Sequence, residues 1–87
     1  MSSTSGEGDA GSIAAALLIA VVRGSLYAHP HQNTPQAIAA AIGDSRVTEN
    51  EISEALEALG SGTLAHTDGR HWQLSAAGYR KHRKAAR

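Results

Sequence analysis

The 87 residues include no cysteine and no phenylalanine, and Trp72, Tyr27 and Tyr79 are the only aromatics. The first absence excludes disulfides and thiolate metal sites. The second leaves the core to Ile, Leu, Val and Ala. Positive charge is nearly missing from residues 1–68, where Arg23 and Arg46 stand against all eight acids for a net of −6. Residues 69–87 reverse this, with Arg70, Arg80, Lys81, Arg83, Lys84 and Arg87, no acid, and a net of +6. Such asymmetry points to a basic end with an anionic partner, or to a solvated helix end whose cations suit the C-terminal dipole. A long apolar run is also lacking. Ile13–Val22 is wholly apolar but only ten residues long, and a membrane span needs about 20. Residues 1–12 carry Glu7 and Asp9 and no Lys or Arg, unlike the positive start of a secretory signal. These features predict a cytoplasmic protein with no membrane contact.

Catalytic patterns are missing as well. The sequence holds no activated-nucleophile signature, no glycine-rich phosphate loop and no acid pair in a plausible pocket. It therefore reads as a non-enzyme that needs no cofactor. Five histidines are present. His29 and His31 lie two apart in a loop, and His66 and His71 come close across a turn. A zinc site needs three or four converging ligands, and a pair of histidines alone does not supply them. No metal site is expected.

What remains is a single small domain. Residues 1–11 are small and polar and read as a disordered tail. Residues 12–82 form the domain, and residues 83–87 a basic tail. Ser12 is placed to cap a first helix running to about Ala28. Its large apolar residues form two stripes, Ile13-Leu17-Val21 and Leu18-Val22-Leu26. A helix apolar nearly all round must be buried nearly all round. The expectation is a homodimer through Ile13, Leu17, Leu18, Val21 and Val22. Thr34-Pro35 then opens a short helix as cap and first position, with Ile38 and Ile42 on one face and Gly43 as its left-handed terminator. Thr48 and Glu51 make a capping box for a third helix whose core residues are Ile52, Ala55, Leu56 and Leu59. Gly60-Ser61-Gly62 stops it. Asp68-Gly69 signals a hairpin. A two-residue loop would set Leu64 opposite Gln73. A three-residue loop, Thr67-Asp68-Gly69, pairs Leu64 with Trp72 and puts Leu64, Trp72 and Leu74 on one face, so it is the expected register. Ser75 caps a last helix through Tyr79 and His82. The fold class is α+β, mostly α.

The order of helix, short helix, tight turn, helix and hairpin resembles the winged helix-turn-helix family. The stretch TPQAIAAAIGDSRVTENEISEALEALGSGTLAHTDGRHWQLSAAG is similar to small bacterial regulators of the MarR and PadR types. It has Leu56 and Leu59, then Gly62, the Asp68-Gly69 turn, and the closing run Leu74-Ser75-Ala76-Ala77-Gly78. The resemblance covers roughly residues 12–82. It implies a winged helix: a three-helix helix-turn-helix core, a β-hairpin wing and a C-terminal helix. It also implies a transcriptional regulator that binds double-stranded DNA. Carried over by position, the third helix offers Glu49, Asn50, Ser53, Glu54 and Glu57 on its exposed face. The wing tip offers Thr67, Asp68, Gly69, Arg70 and His71. The turn offers Arg46 and Thr48 to phosphates.

Charge complicates that expectation. The third helix carries four glutamates and no Lys or Arg, whereas DNA affinity rests on phosphate neutralisation. Attraction would then come from Arg70 and from Arg80, Lys81, Arg83 and Lys84. The alternative is a protein-binding winged helix that uses Glu49, Glu54 and Glu57 as its contact surface. If His66, His71 and His82 border the basic surface, acid would strengthen anion binding. Trp72 is expected to anchor the wing by packing.

Overall fold

The computed structural model describes residues 2–85, with side chains from residue 15 onward. Its elements are α1 (Ser2–Ala28), α2 (Pro35–Ile42), α3 (Glu49–Ser61), β1 (Ala65–Thr67), β2 (Trp72–Leu74) and α4 (Ala76–Ala85). The first helix begins at Ser2 and runs through Ser12, so Ser12 does not cap it and residues 2–11 belong to α1 rather than to a tail; the side chains of residues before 15, Ile13 included, and Arg87 fall outside the description. No described helix is long and apolar enough to cross a membrane.

Local chemistry sets the ends of the short helices. Thr34, extended, accepts the Ala37 N–H at 3.2 Å, and Pro35 takes the first helical position. Gly43 closes α2 at φ 71°, a left-handed conformation that glycine adopts without steric cost. At α3 the capping box forms in full. Thr48 Oγ1 accepts from the Glu51 N–H, and the Glu51 carboxylate accepts from the Thr48 N–H at 3.1 Å. The stop of α3 differs from the sequence expectation. Gly62 sits at φ −86°, and the left-handed residue is Thr63 at φ 60°. The Leu64 N–H reaches the Leu59 carbonyl and the Thr63 N–H reaches Gly60. This is the two-bond helix end that ordinarily recruits glycine; here a β-branched residue occupies it.

α1, α2 and α3 meet at Val22, Leu26, Ile38, Ile52, Leu56 and Leu59, each at most 1% exposed. Ala55, Ala65 and Leu74 complete the core. The two stripes of α1 therefore part company. Val22 and Leu26 enter the core, while Leu17 and Val21 stay 64% and 48% exposed. Val22 is a correction to the expected dimer surface, because it is fully occupied by its own domain.

The hairpin register is a second correction. β1 and β2 pair antiparallel as Ala65↔Leu74, His66↔Gln73 and Thr67↔Trp72. The loop is thus Asp68–His71, one residue longer than expected, and Leu64 faces Ser75 rather than Trp72. The Ser75 N–H donates to the Leu64 carbonyl at 3.0 Å. Ala65, Trp72 and Leu74 share the inner face, with Ala65 and Leu74 buried. Trp72 is half-buried against Gly60, where an added Cβ would stand 3.3 Å from its ring. The Trp72 N–H donates to the Asn33 carbonyl at 2.8 Å and ties the α1–α2 loop to β2.

Ser75 caps α4 as its position suggests. Its hydroxyl donates to the Thr63 carbonyl at 2.7 Å and accepts from the Gly78 N–H at 3.1 Å. Gly78 packs against the Leu64 carbonyl so closely that no Cβ fits. α4 then lies on α1 and β2, with the Tyr79 and His82 rings 5.6 and 4.6 Å from that of Tyr27. Gly24 leaves room for the His82 ring, whose Nδ1 is buried without a partner. His82 is therefore a packing residue of the α1–α4 contact.

Two substitutions probe this packing. Gly78→Ala should lower the unfolding free energy by about 3 kcal/mol, because backbone and not a flexible side chain must move; a loss below about 1 kcal/mol in urea unfolding would show that Leu64 yields easily. Arg23 is 7% exposed, and its Nε has no partner. Arg23→Met should gain about 1 kcal/mol by removing an unsatisfied donor; a comparable loss would mean that the guanidinium is anchored.

Candidate nucleic-acid interface

The starts of α2 and α3 and the hairpin loop converge on one open cleft. Thr34, Pro35 and Gln36 line it from α2 and its cap, Glu49, Asn50 and Ser53 from α3, and Gly69 and Arg70 from the loop. Its volume is about 470 Å³. The two caps position these side chains. Each fixes the first turn of its helix, so Gln36 and Asn50 project from defined backbone.

The loop is built by its own side chains. Asp68 Oδ1 accepts the N–H groups of Arg70 at 2.9 Å and His71 at 2.8 Å. Thr67 Oγ1 donates to the His71 carbonyl at 2.7 Å and accepts the Gly69 N–H at 3.0 Å. Gly69 turns the chain at φ 107°. These bonds make the four-residue loop and account for the register, since the alternation of apolar residues alone does not specify it. They also hold Asp68 below the usual carboxylate range, through the backbone N–H of His71 first and that of Arg70 second.

Asn50, Ser53 and Arg70 are thus brought together as the sequence anticipated. Arg70 is exposed and in no ion pair among the described residues. Other expected contacts fall elsewhere. Arg46 is exposed in the α2–α3 turn, bound to Asp44 by Nε at 3.2 Å and Nη2 at 3.1 Å. That hydrogen bonding holds Asp44 low and Arg46 high, so its charge is already shared. The Thr48 hydroxyl is occupied on both sides by Glu51, leaving no free donor for a phosphate. His71 turns back toward Asp68, 3.6 Å from Nδ1 to Oδ2. It lines a separate hollow with His66, Thr67 and Gln73. Among the described residues no three His, Cys, Asp or Glu side chains are placed to hold a metal ion. Arg80, Lys81, Arg83 and Lys84 are exposed on α4, and none lines the cleft.

The glutamates of α3 do not share one surface. Glu49 lines the cleft. Glu51 and Glu54 lie on the other flank, along a groove between α1 and α3. Glu57 is exposed and lines neither. Glu54 and Glu57, three residues apart, are neighbours on the exposed side of the helix, while Glu49 belongs to the cleft. Thr34, Pro35 and Gln36 are the cleft residues that sequence reasoning missed. The Thr34-Pro35 cap marks where α2 begins, but only the packing of α2 on α3 shows that Gln36 faces the loop.

Comparison of the chain with known protein families, curated proteins and solved structures finds no match.

A carboxylate held low supports its surroundings above its unfolded pKa and loses that support as pH falls through the folded value. The Asp68 loop should therefore persist from neutral pH into acid. In an NMR titration the Asp68 carboxyl should titrate below about 3.9, with the Arg70 and His71 amide shifts following it. A midpoint at or above that value would show that the two N–H bonds do not hold the carboxylate.

Proposed function

We propose that the cleft binds double-stranded DNA and that the chain is a winged helix-turn-helix protein, a transcriptional regulator in type. One observation carries the reading: Arg70 of the hairpin loop meets Asn50 and Ser53 of α3 and Gln36 of α2 in one open surface. These residue types suit a duplex. Amide side chains pair with adenine edges, a hydroxyl serves several bases, and arginine binds phosphate or guanine. Of the four glutamates of α3, Glu49 lines the cleft, and a carboxylate there can accept from cytosine N4; Glu57 lies one turn beyond Ser53 on the same face.

The cations of α4 have a different part in this reading. They lie on the α1 and β2 side of the fold and would contribute long-range attraction rather than groove contacts. Base reading and electrostatic attraction would thus come from separate surfaces.

The test is fluorescence anisotropy of a labelled duplex titrated with the full chain. Affinity should fall steeply between about 50 and 200 mM salt. Arg70→Ala should weaken binding about tenfold and reduce the salt slope by about one. Absence of binding at the lower salt, or unchanged affinity for Arg70→Ala, would overturn the proposal.

A further inference from the structure

The ion pairs among the described residues are both local, Arg46 with Asp44 and His71 with Asp68. Neither uses a glutamate of α3 or a cation of α4. α4 packs inward through Gly78, Tyr79 and His82, and this leaves Arg80, Lys81, Arg83 and Lys84 exposed on its outer side. α3 presents Glu51 and Glu54 at the rim of the α1–α3 groove, which has a volume of about 520 Å³. Ala15, Leu18, Ile19, Val47, Ala55 and Ala58 form its floor. Of residues 15–21, Ala15, Ala16, Leu17 and Val21 are exposed and Leu18, Ile19 and Ala20 only half-buried. The alanines of the floor allow a helix to approach closely.

We propose that this groove is the docking site for α4 of a second copy of the chain. Charge selects the occupant. An uncharged cover, such as a second α1, would leave Glu51 and Glu54 facing apolar surface, since α1 carries no cation between residues 13 and 22. α4 is the one described element with several cations and no acid. It cannot serve its own groove, because it is already docked on α1 and β2. The spacings also match. Arg80 and Lys84 are one turn apart on α4, as Glu51 and Glu54 are on α3, each about 5–6 Å between Cβ atoms. The aliphatic stems of Arg80 and Lys84 lie along the apolar floor while their charged ends meet the rim. Two copies each offer one groove and one α4, so reciprocal docking closes the pair about a twofold axis. The attraction is between exposed charges and is therefore screened by salt.

The experiment is sedimentation velocity of the full chain over a concentration series, at about 20 and 500 mM NaCl, which brackets weak and strong screening. The expected result is a dimer at low salt whose dissociation constant rises at least about tenfold at high salt. Glu54→Lys alone should be monomeric, and so should the double variant Arg80→Glu, Lys84→Glu. Mixing the two should restore the dimer, because the reversed groove of one then faces the reversed α4 of the other. All three positions are exposed, and circular dichroism checks that each variant is folded. A monomer under every condition would overturn the proposal, as would a dimer indifferent to salt. A dimer lost on Leu17→Glu but kept on Glu54→Lys would also overturn it and would place the exposed α1 stripe at the interface.

Discussion

Everything in this domain hangs on the junction where Val22 and Leu26 of α1 meet Ile38 of α2 and Ile52, Leu56 and Leu59 of α3. With no phenylalanine available, the junction is wholly aliphatic, and three helices must approach closely to fill it. That closeness sets the angle between α2 and α3 and thereby the mouth of the cleft. It also leaves Leu17 and Val21 of α1 exposed and Leu18 and Ile19 only partly covered, since the core closes around Val22 and Leu26. The same contact that assembles the candidate interface thus exposes the α1–α3 groove.

The hairpin depends on this junction less directly. Leu74 and Ala65 reach the core, Trp72 lies on Gly60 at the end of α3, and Ser75 ties the closing helix to the Thr63 carbonyl. The loop beyond them is held by Asp68 and Thr67 alone. Arg70 is therefore presented by a small hydrogen-bonded turn standing on a packed base, so its backbone is fixed while its side chain remains free to reach a ligand. Under the duplex reading, such a side chain would contact phosphate, which fixes register without carrying sequence information.

Charge is distributed by the fold rather than balanced within it. A net charge of zero conceals an acidic flank on α3 and a basic outer face on α4, held apart by α1. The cleft lies between neither. Its lining is mainly amide, hydroxyl and arginine, with one glutamate. If the duplex reading and the groove reading both hold, covering α4 in a dimer removes the cations that attract DNA over distance. Dimerisation would then weaken the attraction for nucleic acid without covering the cleft.

The sequence by itself determined the elements whose signals are local. Thr34-Pro35, Gly43 and the Thr48–Glu51 box act within one turn of chain, so the limits of α2 and the start of α3 could be read directly. So could the core positions of α3, which follow from helical period, and the cap at Ser75. Asn50, Ser53 and Arg70 were legible as neighbours because the order of elements resembles a known pattern. Only the tertiary structure decided the rest. The hairpin register depended on which backbone N–H groups Asp68 would accept, a choice that apolar alternation does not encode. Thr63, not a glycine, took the left-handed position because the Leu64 and Thr63 N–H groups needed the last carbonyls of α3. The separation of Glu49 from Glu51 and Glu54, the approach of Gln36 to the loop, and the removal of α4 from the cleft all depend on how helices pack. Packing joins residues distant in the chain, and a periodic pattern says which face is apolar but not which neighbour will cover it.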